Sequence, residues 1–281
     1  MTTVLDVQRF KDEGRRFAVL TAYDYLSAKI LDEAGIPVLL VGDSLGMVML
    51  GYPTTLPVTV ENMLVHAKAV SRGSRQALLV GDMPFMSYQV STEQAIANAG
   101  RFIQEAGMHA VKLEGGGRVI EITRRLAEIG IPVMGHVGLT PQSVHTMGGF
   151  KVQGKTDAQA AKILADAKAL EQAGAFSIVL EGMPSKLAAD VTKTLRIPTI
   201  GIGAGPGADA QVLVMHDMLG LTTGKAPKFV KRYANLAEEI ARAASAYAED
   251  VRTGKFPGPE HEYSANGSAP AKDREEARYG G

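Results

Sequence analysis

Asp32–Asp43, DEAGIPVLLVGD, joins the end of one element to the whole of the next. The helical pattern stops at Gly35, and glycine just past a helix end supplies the left-handed backbone that closes the last turn. Four apolar residues, Val38–Val41, then run directly into Gly42 and Asp43. A short, uninterrupted apolar run of this kind reads as a strand covered on both faces, as in a parallel sheet.

The same order recurs along the chain in QEAGMHAVKLEGG (104–116), AEIGIPVMGH (127–136) and EQAGAFSIVLEG (171–182). Helix starts are also marked, because Ser91 with Gln94 and Thr156 with Gln159 have capping-box spacing. Strands are expected near 17–21, 37–41, 77–81, 110–114, 132–136, 176–181 and 197–202, with a weaker eighth at 212–216. Helical patterns lie between them at 60–72, 91–106, 117–129 and 157–173. Eight β/α alternations close a (β/α)₈ barrel, and the competing arrangement is an open doubly wound sheet. No break in composition separates the units, which favours one α/β barrel over residues 1–254, preceded by an N-terminal helix. The amphipathic stretch 229–251 reads as an outer helix of that barrel. Residues 255–281 are polar, rich in Gly and Pro, and read as a disordered tail.

Bulk composition narrows the function. The chain has 281 residues, 46% of them hydrophobic, so a large core is within reach. Lys+Arg and Asp+Glu both number 30, and this even balance gives no electrostatic ground for nucleic acid or an anionic membrane. With no cysteine there is neither a disulfide nor a thiolate metal site, which fits a cytoplasmic protein. No apolar run approaches the roughly 20 residues that span a bilayer.

Polar residues gather where the expected strands end. Asp43, Asp82, Glu114, His136 and Glu181 each terminate an apolar run, and Lys112 lies two residues before Glu114. In a parallel barrel these ends share one rim, where active sites of this fold lie. Side chains alternate along a strand, so Lys112 and Glu114 share a face and point inward. Several converging carboxylates repel one another unless a cation joins them, and one lysine does not balance the set. Carboxylates without Cys or clustered His favour a hard ion such as Mg²⁺ or Mn²⁺. Such an ion can polarise the carbonyl of a 2-oxo acid, and a rim carboxylate outside its coordination can serve as base. Each residue also has a structural explanation: Asp43 and Asp82 as helix caps, Lys112–Glu114 as an ion pair, His136 as a hydrogen-bonded rim histidine. The glycine-rich run Gly201–Asp209 fits a close approach of backbone to a neighbour better than a phosphate cradle.

Beyond these residues, TAYDY (21–25), VGDSLGMVMLGYPTTLPVTV (41–60), GDMPFMSY (81–88), VKLEGG (111–116), GHVGLTPQSV (135–144), LEGMP (180–184), GIGAGP (201–206) and MHDMLGL (215–221) together resemble the ketopantoate hydroxymethyltransferases. The likeness extends from about residue 3 to residue 263. It implies a barrel of the phosphoenolpyruvate/pyruvate-binding type. It also implies transfer of a hydroxymethyl group from 5,10-methylenetetrahydrofolate to 3-methyl-2-oxobutanoate, giving 2-dehydropantoate for pantothenate and coenzyme A synthesis. Under it, one Mg²⁺ per subunit is held by Asp43, Asp82 and Glu114, and it stabilises an enolate. Ser44 and Lys112 hold the substrate carboxylate, Asp43, Asp82 and His136 also lie against the substrate, and Glu181 removes the C3 proton. The family's habit implies a homo-oligomer, typically a decamer. The alternatives are another Mg²⁺-dependent 2-oxo acid lyase or mutase of the same barrel group, and a non-catalytic barrel.

Overall fold

The computed structural model describes residues 1–224 and 226–263. The part of the expected disordered tail from residue 264 on lies outside the described residues.

Eight parallel strands close into a barrel in sequence order. They are β1 (Phe17–Thr21), β2 (Val38–Val41), β3 (Leu78–Asp82), β4 (Ala110–Lys112), β5 (Val133–Gly138), β6 (Ser177–Glu181), β7 (Thr199–Ile202) and β8 (Ala210–Leu213). β8 pairs with β1, which removes any free sheet edge. The eighth strand begins two residues before the position expected from sequence, because Ala210 and Val212 supply its inward face. β4 stops at Lys112, so Glu114 lies just beyond the ladder.

The helices obey their local signals. Thr59 and Thr156 form complete capping boxes with Asn62 and Gln159, and the Ser91 side chain accepts the N–H of Gln94. Gly35, Gly107, Gly130 and Gly174 all take positive φ just after helices, as their placement predicts.

Two layers of apolar side chains follow from strand alternation. The outward set packs the strands against the surrounding helices. The inward set includes Val19, Val38, Leu78, Val80, Ala110, Met134, Val179 and Val212. Val7, on the N-terminal helix Val4–Asp12, is fully buried in this inner cluster and closes it. Moving two residues toward the C-terminal rim converts the inward residue from apolar to polar, as Val80 gives way to Asp82, Ala110 to Lys112, Met134 to His136 and Val179 to Glu181. The same period that fills the barrel therefore lines its mouth with ionisable groups.

The chain divides into two compact units, Met1–Tyr233 and the part from Ala234 on. All eight strands belong to the first. The second contains helix Leu236–Arg252, which starts later than the periodicity indicates, since residues 229–235 are not helical. None of its residues is buried, and Ile240, Tyr247 and Val251 are exposed.

Candidate active site

A cavity of about 450 Å³ opens at the C-terminal rim of the barrel. Every residue singled out in the sequence lines it: Asp43, Ser44, Asp82, Lys112, Glu114, His136 and Glu181. β3 and β4 lie in register with Asp82 opposite Lys112. The Lys112 Nζ donates to Asp82 Oδ1 at 2.6 Å and to Glu114 Oε1 at 3.3 Å. Asp43 stands one residue past Gly42, and its backbone N–H donates to Asp82 Oδ2 at 3.2 Å. Its own carboxylate accepts from Gln142 Nε2 at 2.9 Å.

His136 sits between two acids. Its Nδ1 is 3.3 Å from Glu114 Oε1 and its Nε2 is 3.2 Å from Glu181 Oε2. These are ion-pair separations without the alignment of straight hydrogen bonds. Glu181 retains some exposure, 17% of its side chain, whereas His136 and Glu114 are almost sealed.

The electrostatics follow from burial and crowding. Burial drives the Asp43 carboxyl well above its ordinary range, and the neighbouring Asp82 and Glu114 charges push it further. Asp82 is also raised, chiefly by burial, with Lys112 opposing. Burial works on Glu114 in the same upward direction, but Lys112 and His136 outweigh it and hold that carboxyl at about 2. For His136 burial acts downward, and Glu114 and Glu181 overcome it to bring the imidazole to about 9. Lys112 is raised above its usual value despite burial, because three carboxylates surround it.

Asp43, Asp82 and Glu114 each offer a carboxylate oxygen, and these oxygens all lie within 4.8 Å of one another. All three residues are buried, and the donors are hard oxygens with no sulfur among them. Burial first, and the neighbouring acids after it, oppose the charged forms of Asp43 and Asp82, and a cation among the three carboxylates would offset both. This chemistry fits a divalent cation of the Mg²⁺ class.

Three supporting residues escaped the reading of strand ends. Gln142 is 95% buried; besides Asp43 it reaches the Met83 carbonyl at 2.9 Å, and its backbone N–H donates to Glu114 Oε2 at 3.1 Å. The Tyr88 hydroxyl donates to Gln142 Oε1 at 2.7 Å and accepts the Glu114 N–H at 3.1 Å. Tyr23, fully buried, places its hydroxyl 2.8 Å from Ser44 Oγ. All three lie in loops or short turns, where apolar periodicity carries no signal, although each falls in one of the motif segments quoted above. The glycine-rich run after β7 packs against helix Ser185–Thr194 instead of framing a phosphate. A Cβ on Gly207 would lie 2.7 Å from that of Ala189.

Comparisons with known proteins agree with the geometry. The family model described as ketopantoate hydroxymethyltransferase matches residues 1–259. The 3-methyl-2-oxobutanoate hydroxymethyltransferase of Syntrophus aciditrophicus is 58% identical over 92% of this chain and 94% of its own. The protein of the same name from Dehalococcoides mccartyi is 59% identical over 91% of this chain and 92% of its own. Among solved structures, phosphonopyruvate hydrolase in complex with oxalate and Mg²⁺ shares the fold at a TM-score of 0.60 and 14% identity, covering 95% of this chain and 93% of that one. A 2,3-dimethylmalate lyase, described as a PEP mutase/isocitrate lyase superfamily member, has a TM-score of 0.58 and 19% identity over 95% and 93% of the two chains. With a family model matching nearly from end to end and relatives above half identity over nine-tenths of its length, the chain belongs to the ketopantoate hydroxymethyltransferase family.

Proposed function

We propose that the protein transfers a hydroxymethyl group from 5,10-methylenetetrahydrofolate to 3-methyl-2-oxobutanoate, yielding 2-dehydropantoate and tetrahydrofolate. The observation that carries this reading is the placement of Glu181 outside a buried cluster of three carboxylates, with His136 between it and Glu114, in one cavity that also holds Lys112 and Ser44. The relatives' shared name supplies the substrate.

Asp43, Asp82 and Glu114 would hold Mg²⁺. When bound, the ion supplies a Lewis acid for the 2-oxo group and so acidifies the adjacent C–H. The remaining work falls to the side chains. Lys112 and the Ser44 hydroxyl bind the substrate carboxylate, with Tyr23 fixing the orientation of Ser44. Asp43, Asp82 and His136 contact the substrate from the cavity floor. Leu40, Val179 and Val212 give its isopropyl group an apolar wall. Glu181 takes the proton from C3, and His136, 3.2 Å away, steadies the base. C3 then bonds to the folate's methylene carbon. Water supplies the hydroxyl, and the two C–N bonds of the carrier are replaced by N–H.

Hydrogen–deuterium exchange at C3 of 3-methyl-2-oxobutanoate in D₂O tests the assignment without folate. Exchange should require Mg²⁺ and fall by about 10²–10⁴-fold in Glu181→Gln while the substrate still binds. Unchanged exchange in that variant would assign the base elsewhere. Assembly as a homo-oligomer, a decamer, and a cytoplasmic site of action belong to the same proposal. No helix among the described residues is long and apolar enough to cross a membrane. Light scattering of the purified chain tests the assembly, with a monomer as the contrary result.

A further inference from the structure

We infer that the outer half of the cavity, walled by Phe150, Val152, Pro227 and Phe229 with Lys151 at its edge, seats the folate. The pteridine would lie between the aromatic walls and the glutamate tail against the lysine. This rests on the reading above, in which a folate carries the one-carbon unit.

The cavity is larger and more divided than a small 2-oxo acid needs. Its volume falls within the roughly 300–1,000 Å³ of sites that enclose ligands many atoms larger. The ionisable floor comes from strand ends and is nearly sealed, with Asp82, Lys112 and His136 all buried. The outer walls come from the loops after β5 and β8; of the segment after β8, Asp217 also lines the cavity, bonded through its carboxylate to the Thr222 hydroxyl. Phe150 and Phe229 remain 52% and 42% exposed, which folding alone does not reward. Each faces the cavity.

The two walls straddle β6, which ends at Glu181. On one side, the Gln153 backbone N–H donates to the Gly182 carbonyl at 2.8 Å, pinning the Phe150–Val152 loop over the end of β6. On the other, the Gly182 N–H donates to Ile202 at 2.9 Å, and the next residue, Gly203, lies under the Phe229 ring. A Cβ on Gly203 would stand 2.8 Å from that ring, and the backbone there has φ +60°. Phe229 is thus seated on the rim by a glycine. A flat ring held between these walls would bring its one-carbon unit to the side of the substrate from which Glu181 takes the proton. Stacking on aromatic faces suits a pteridine. Lys151 is exposed at the cavity edge, where its ammonium can meet an anionic tail.

The test separates the two substrates. Phe150→Ala and Phe229→Ala, together with the milder Phe229→Leu, are assayed for full transfer with varied methylenetetrahydrofolate and for folate-free C3 exchange. The expected result is a KM for the folate raised about five- to tenfold or more in each alanine variant, with C3 exchange within twofold of the parent. Lys151→Ala should raise the same KM a few-fold, by less at high salt. An unchanged folate KM in both alanine variants overturns the assignment. A parallel fall in C3 exchange does so too, since the walls would then serve the 2-oxo acid. If the parent enzyme exchanges C3 yet transfers no carbon from the folate, the folate reading itself fails and this inference with it.

Discussion

Val41–Gly42–Asp43 and Val80–Gly81–Asp82 are the same three letters at the ends of adjacent strands, yet the barrel reads them one residue out of step. Val41 pairs with Gly81, so Gly42 stands level with Asp82. In the second copy the aspartate is the last residue of its strand, and alternation turns it inward while Gly81 faces out. In the first copy the strand ends at Val41, Gly42 faces in, and Asp43 reaches the cavity because the chain has already left the ladder. One carboxylate is placed by strand geometry and the other by a turn. Their partners differ accordingly: both oxygens of Asp82 accept hydrogen bonds, from Lys112 and from the Asp43 N–H, whereas Asp43 receives one from Gln142.

The largest effect should separate the two glycines. A Cβ on Gly81 would overlap the ring of Phe102, a fully buried residue of helix Thr92–Gln104. Gly81→Ala should destabilise the protein by about 3 kcal/mol, the upper end of overpacking costs. At Gly42 the nearest atom is the Ser44 hydroxyl, 2.8 Å away, which can turn aside only by giving up its contact with Tyr23. Gly42→Ala should therefore cost about 1 kcal/mol, well below the loss at Gly81, and weaken binding of the 2-oxo acid. Equal losses of stability would show that the register difference is unimportant.

A somewhat smaller effect should separate the two acids, with opposite signs. Asp82→Asn offers one acceptor oxygen where two donors converge, costing about 1–3 kcal/mol for the donor left unpaired. Asp43→Asn keeps an oxygen for Gln142 and removes a charge that burial and its acidic neighbours oppose. A carboxyl raised in the folded state contributes most below the ordinary carboxylate range, and that contribution is lost as pH rises through its own raised value. At pH 7 without metal, Asp43→Asn should therefore be the more stable protein, with Tm a few degrees higher, about 2–4 °C per kcal/mol. Its advantage should shrink as the pH falls toward 4. Calorimetry in the presence of a chelator decides, and a lower Tm for Asp43→Asn at pH 7 would sink the account.

This contrast also explains what the sequence revealed. Repeated Gly–strand junctions and period-two alternation were enough for the barrel and for the rim acids, because both depend on the spacing of a few neighbouring residues. Even Asp43, whose placement alternation does not predict, was found because it directly follows a strand. Gln142 was not, since it approaches Asp43 across 99 positions and from a short turn, Pro141–Ser143. The helix beginning at Leu236 is seven residues shorter at its start than the periodicity predicts, because an apolar spacing of three and four also passes through Phe229 and Tyr233, which are not helical.

The smallest effect concerns the residue that follows each copy. After Asp82 comes Met83, fully buried and apolar; after Asp43 comes Ser44, whose hydroxyl meets that of Tyr23 at 2.8 Å. Only the first copy thus ends in a group able to bind a carboxylate, and only it depends on a tyrosine at the end of β1 for orientation. Tyr23→Phe removes one hydroxyl from a buried site without changing the ring, so the expected loss is about 1 kcal/mol, or roughly a fivefold rise in KM for the 2-oxo acid. The folate KM and the pH profile should not move, because the Glu181–His136 contact is remote from this pair in the barrel's strand order. If kcat falls while that KM stays fixed, Ser44 acts on the transition state and not on the bound carboxylate, and the division of labour between the two copies must be redrawn.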